Sequence, residues 1–155
     1  MLKIVGQSPP KSGLPPFCGD AGKRLARFFD LPLAVLRERA FLVNLYDRPR
    51  QRWDPNDART AAADFYNASD HRDVILTVGR KVTDAFGVSD GWFTITELID
   101  EDKRSVFFGS IPHPSARNRF WNDWANRYRA KLYLENIARV GGLVDSDDDG
   151  NVLFH

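Results

Sequence analysis

Three short apolar runs, at residues 2–5 (LKIV), 41–45 (FLVNL) and 74–78 (VILTV), each stop at turn-forming residues, and each gives way to a helical pattern. Runs of four or five residues are too short for a buried helix. Closed by a glycine, as the first is by Gly6 and the third by Gly79, they have the pattern of strands buried on both faces of a parallel sheet. Strand, loop and helix repeated in that order predict an α/β domain, with a mostly parallel sheet and helices on both faces. In such sheets the binding crevice opens beyond the carboxyl ends of the strands. The loops after Val5, Val43, Val78 and Gly109 are therefore the places to look for chemistry.

The intervening segments fit this frame. Residues 7–19 hold four prolines and two glycines and form a loop. Asp20 is positioned as an N-cap for a helix over 21–29, with Leu25, Phe28 and Phe29 on its apolar face. A short helix over 33–39 follows Pro32. Residues 46–55 read as a surface loop, and Asn56 or Asp57 caps a helix that runs to 67. Residues 81–86 form a helix after Gly79. Residues 93–98 and 105–109 read as strands joined by the charged turn 100–103, and 111–115 (IPHPS) leave the last strand as a loop. From 120 to 140, Trp124, Tyr128, Leu132 and Ile137 approximate helical spacing and predict a packing stripe, with Gly141-Gly142 as the stop.

With 155 residues, 43% of them hydrophobic, the chain can close one core. That places one domain over 1–143, followed by an acidic, turn-rich segment over 144–155. A single cysteine, Cys18, excludes an internal disulfide and a cysteine-rich cage. Three histidines without HxxxH or CxxC spacing predict no metal site. The apolar stretch at the amino terminus is too short for a signal peptide, and no run of about eighteen apolar residues occurs. The expectation is a cytoplasmic protein with no membrane partner. A net charge of +1 gives no global attraction for nucleic acid, so a DNA partner requires a local basic patch. Arg117, Arg119, Arg127 and Arg129 supply one, with Lys131 and Arg139 further along the same predicted helix.

Four pieces at predicted strand ends stand out: Gly6-Gln7-Ser8-Pro9-Pro10, Pro16-Phe17-Cys18-Gly19-Asp20-Ala21-Gly22, Asn44 with the following Arg48-Pro49, and His113-Pro114-Ser115 continued by Ala116-Arg117-Asn118-Arg119. Together, and in this order, they resemble the uracil-DNA glycosylase superfamily. The nearest likeness is to the branch with a G-E-x-P-G first motif, a P-F-x-G-x-A-G segment and a final H-P-S loop. The resemblance spans residues 4–120. It implies a three-layer αβα sandwich with a central, mostly parallel four-stranded sheet. It also implies a monomeric DNA glycosylase that needs no cofactor, excising uracil or a related altered pyrimidine and leaving an abasic site.

The resemblance assigns roles that chemistry makes intelligible. An enzyme acting on a base must take it out of the stack and hold it by face and edge. Phe17 would stack on the ring, and the Asn44 amide would offer a donor and an acceptor to the pyrimidine edge. His113 would donate to O2 as negative charge develops on the departing base. Ser115 would grip phosphate, while Arg117, Asn118 and Arg119 would reach the groove or fill the gap left by the base. The first motif departs from the pattern. Gln7 and Ser8 stand where a carboxylate is expected, and a neutral amide positions water without accepting its proton effectively.

Other readings follow from the same residues. The fold could recognise uracil or abasic DNA with weak or no turnover, act on another modified base, or bind a free nucleotide. Single residues are also open to two readings. Phe17 fits either core or stacking platform, Trp121 either packing or site, and Arg80 either a phosphate contact or a solvated helix start. Cys18 reads as a space-filler, and no role attaches to Asp70 or His71.

Overall fold

The computed structural model describes residues 1–9, 13–47, 49, 52–88 and 91–143. Arg48 and the acidic segment 144–155 lie outside the described residues. Five strands form one sheet: β1 (Leu2–Gly6), β2 (Phe41–Asn44), β3 (Val74–Val78), β4 (Ile95–Ile99) and β5 (Ser105–Ile111). Their order is β2-β1-β3-β5-β4. Every pairing is parallel except the one between β4 and β5. The expected four-stranded sheet is thus corrected to five, the extra member being an antiparallel edge strand.

β3 is buried along its whole length, as a continuous apolar run in a parallel sheet should be. β4 alternates exposed and half-buried residues, the signature of an edge strand with one wet face. It starts at Ile95 and not at residue 93, because Phe93 has φ 63° and cannot continue an extended ladder.

Two apolar clusters divide the sheet's side chains by strand alternation. Leu2, Ile4, Leu76, Val78 and Ile111 pack with α1 (Asp20–Phe28), α2 (Leu33–Arg39) and α5 (Trp124–Val140). Val5, Ile75, Val106 and Phe108 pack with α3 (Pro55–Asn67) and α4 (Arg80–Phe86). Successive side chains of a strand point to opposite faces, so the clusters lie on opposite sides of the sheet.

Helix boundaries differ from expectation for local reasons. The N-cap of α1 is Gly19, with Asp20 in the first turn. α3 is capped by Asp54, whose carboxylate accepts the N–H groups of Asn56 and Asp57, with Pro55 at the first helical position; this is the place where proline's missing N–H costs nothing. The single helix expected over 120–140 is split. A 3-10 turn spans Arg119–Asn122, and Asp123 then caps α5 by accepting from Ala125 N–H. The predicted packing stripe on this helix is corrected too. Trp124 is 69% exposed and Tyr128 56%, Leu132 also faces solvent, and only Ile137 is buried. The buried face is carried instead by Ala130, Tyr133, Leu134, Ile137 and Ala138. Among the described residues no helix is long and apolar enough to cross a membrane.

Candidate functional site

β1 and β2 end in register, Gly6 opposite Asn44. The pairing runs on past the strands, with Leu45 N–H donating to Gly6 O at 2.8 Å and Tyr46 N–H to Gln7 O at 3.0 Å. These bonds hold the first proline-rich loop against the exit of β2. On the other side, Gly79 N–H donates to Ile111 O at 2.9 Å, tying the end of β3 to the end of β5. A methyl group on Gly79 would stand 3.5 Å from His113 Cβ. Gly79 has φ +95°, a conformation glycine adopts at little cost.

Beyond these strand ends lies a cleft of about 470 Å³, within the 300–1,000 Å³ usual for small-molecule sites. Gln7, Ser8, Phe17, Asn44 and His113 all line it. Residues far apart along the chain meet there because the strand order changes direction at β1 and β3, and chains leaving such a point diverge and open a crevice. From β2 to β5 is three strand spacings, roughly 14 Å. That span accommodates one planar ring approached from both sides.

Phe17 is held in an unusual way. Its φ is 58°, a left-handed conformation that costs a bulky residue about 1–3 kcal/mol. The surrounding structure imposes it. Its carbonyl lies against α1 so closely that a Cβ on Gly22 would sit 1.8 Å from the Phe17 oxygen, so only glycine fits there. The ring is thereby delivered over the floor of the cleft. A Cβ on Gly6 would meet Phe17 Cζ at 2.9 Å and Asn44 Oδ1 at 2.9 Å. One glycine therefore allows both the ring and the amide to approach the same point.

His113 sits between Pro112 and Pro114, both buried, while its own side chain is exposed toward the cleft. Its carbonyl accepts the Trp121 indole N–H at 2.7 Å and the Asn118 amide N–H at 3.0 Å. Although solvent reaches one side of the imidazole, desolvation by the protein packed around the rest lowers its pKa below the ordinary value. The shift favours the neutral imidazole at neutral pH, the form with one ring N–H available as donor.

The remaining predicted residues lie apart from the cleft. Ser115 is half-buried, and its carbonyl accepts from Arg24 Nη1 at 3.4 Å. Asn118 uses its amide within its own loop, accepting from Phe120 N–H while donating to His113 O. Arg117 and Arg119 are exposed. Trp121 is 1% exposed and packs on Phe28 with ring centroids 4.8 Å apart; it fills the core and holds the His113 loop at once. Arg80 lies over the Trp92 ring at 4.8 Å. Cys18 is half-buried on the cleft wall. His71, given no role by its sequence, accepts Ser105 N–H on Nδ1 at 2.9 Å and pins the start of β5.

One residue was missed. Among the described residues that line the cleft, Asp20 is the sole carboxylate. Its sequence context reads as an N-cap, but Gly19 takes that position without any side-chain cap. Asp20 is thus in the first turn, beside N–H groups at the positive end of the α1 dipole. No group of three His, Cys, Asp or Glu among the described residues is disposed to hold a metal ion. Comparison with protein-family models and with curated proteins finds no match to this chain.

Proposed function

We propose that this protein is a monofunctional DNA glycosylase that hydrolyses the N-glycosidic bond of uracil, or of a related altered pyrimidine, flipped out of DNA. The observation that carries this reading is the convergence of Phe17, Asn44 and His113 on one cleft beyond the strand ends. An aromatic face, an amide edge and a neutral imidazole donor are the groups that recognition and departure of a pyrimidine require. The two clusters on opposite faces of the sheet are compatible with the three-layer αβα sandwich of the superfamily, enlarged by β4.

In this reading Phe17 stacks on the extruded base and Asn44 pairs with its O4 and N3–H. As the glycosidic bond lengthens, negative charge gathers on the base, and His113 donates its N–H to O2 without giving up a proton. Positive charge grows on the sugar. Gln7 orients the attacking water, and Asp20 is the carboxylate able to stabilise the cation and accept the water's proton. Arg117 and Arg119 reach the flanking DNA, and the protein acts as a monomer without metal or cofactor.

The test is a panel of labelled oligonucleotides, each carrying one uracil or one modified pyrimidine, treated with alkali after incubation. Scission at the uracil or at a related altered pyrimidine is expected. No scission at any member of the panel, single- or double-stranded, would sink the proposal. A second reading, a module that binds uracil or abasic DNA without turnover, is favoured by the neutral pair Gln7 and Ser8; it predicts affinity for abasic DNA without scission.

A further inference from the structure

We infer that Trp124 and Tyr128 form a stacking platform for unpaired bases beside the cleft, so that the strand this protein holds is single-stranded there. The inference rests on the DNA reading above and adds to it the state of the strand.

The observations are independent of the cleft. Trp124 and Tyr128 are one helical turn apart on α5, 69% and 56% exposed, with ring centroids 6.4 Å apart and planes tilted by 55°. At that tilt neither ring covers the other, and each keeps a face open. A tryptophan left in water on a helix surface forfeits the burial that such a large ring normally gains.

The surroundings favour nucleic acid over protein as the occupant. Residues 115–131 carry five basic side chains and one acidic, a net +4 in a chain whose total is +1. The one acid, Asp123, is occupied as the cap of α5. Lys131 is offset by Asp30 at 3.4 Å. Arg117, Arg119, Arg127 and Arg129 are exposed; Arg127 donates to Trp121 O and Arg129 lies over the Phe93 ring at 5.2 Å, uncharged partners that leave the positive charge in place. A stable protein interface buries roughly 800 Å² on each partner with charge depleted from its centre. Two rings fall far short of that area, and the surplus of positive charge around them in sequence complements a phosphate backbone. Aromatic faces within a basic patch are the means by which unpaired strands are held, whatever their sequence.

Position completes the argument. Trp124 is three residues beyond Trp121, whose indole binds the carbonyl of His113. Trp121 thereby ties the start of α5, which carries the two rings, to the His113 loop that lines the cleft.

The test uses a fluorescein-labelled, uracil-free single-stranded oligonucleotide, with a duplex of the same sequence in parallel. Both are titrated by anisotropy against wild type, Trp124→Ala, Tyr128→Ala and Trp124→Phe. Each alanine variant is expected to weaken single-strand binding by roughly 5- to 150-fold, the range for losing one stacked base. Trp124→Phe should retain most of the affinity. Duplex binding, dominated by phosphate contacts, should change far less. Undiminished single-strand binding, or an equal loss on duplex, overturns the inference. So does sedimentation showing that the alanine variants break up a dimer, which would assign the rings to an interface between copies. Excision from a short uracil-containing strand is scored separately. Its absence from the wild type, with single-strand binding lost in the alanine variants, refutes only the glycosylase reading. Its presence, with binding unaltered, refutes only the platform.

Discussion

Adding one methyl group at Gly6 should disable the cleft while leaving the fold intact. In Gly6→Ala the new Cβ would stand 2.9 Å from both Phe17 Cζ and Asn44 Oδ1, and ordinary contact begins at 3.4 Å. Each group must therefore retreat by about half an ångström. Neither can do so by moving its backbone. The Phe17 carbonyl is lodged against Gly22, and the chain after Asn44 is bonded to Gly6 O at 2.8 Å. The ring and the amide must swing instead, away from the point where they meet a base.

Misplacement by 1 Å costs a catalysed reaction on the order of 10²-fold, so half of that at two groups predicts a loss of roughly 10- to 100-fold in excision. Overpacking should cost roughly 1–3 kcal/mol, partly offset because Gly6 has no left-handed φ and alanine lowers the entropy of the unfolded chain, so the variant should stay folded. Single-turnover excision of uracil from an oligonucleotide and urea denaturation measure the two quantities. Unchanged excision in a folded variant would refute the reasoning, because the two groups would then have no need of their positions.

Three further predictions concern neighbouring groups. His113→Gln should slow excision by roughly 10²–10³-fold, the usual cost of losing one donor to a developing oxyanion. Because burial lowers the His113 pKa, the unfolded chain binds this proton first. Wild-type stability should therefore decline as pH falls from about 6.5 toward the lower folded value, a decline that calorimetry should find missing in the variant. Asp20→Asn should reduce excision by roughly 10²-fold or more while leaving affinity for abasic DNA equal or higher; an unaltered rate would remove Asp20 from the reaction. Tyr133→Phe should cost about 1–3 kcal/mol in urea unfolding, since its buried hydroxyl accepts Ser110 N–H at 3.1 Å and donates to Thr94 O at 2.7 Å. Full stability in that variant would mean water replaces the hydroxyl.

Much of the sheet was legible because parallel strands leave continuous apolar runs: residues 2–5, 41–45 and 74–78 lie within one residue of β1, β2 and β3. β2 is nevertheless an edge strand and not buried as its run implies, with Phe41 48% exposed. The ring, the amide and the imidazole could be named because the motifs around them resemble those of the uracil-DNA glycosylase superfamily, which assigns them their roles. What could not be read depends on contacts distant in sequence. Helical spacing cannot tell a buried stripe from an exposed one, and so Trp124 and Tyr128 read as core. The cap of α3 lies two or three residues earlier than expected because Asp54 precedes a proline that begins the helix. Asp20 reads as a cap because it precedes the helical pattern, and only the backbone shows that Gly19 takes the cap and leaves Asp20 on the cleft wall. The hold of Trp121 and Asn118 on the His113 carbonyl exists only once that loop has closed.

The central claim is that a base leaves its strand and enters between Phe17, Asn44 and His113. An oligonucleotide with 2-aminopurine beside the uracil reports this directly, since its emission rises when a neighbour unstacks. Wild-type protein should raise that emission, and Phe17→Ala and Asn44→Ala should each abolish most of the rise while remaining folded. Emission that stays flat with the wild type, or rises equally with both variants, would contradict the claim.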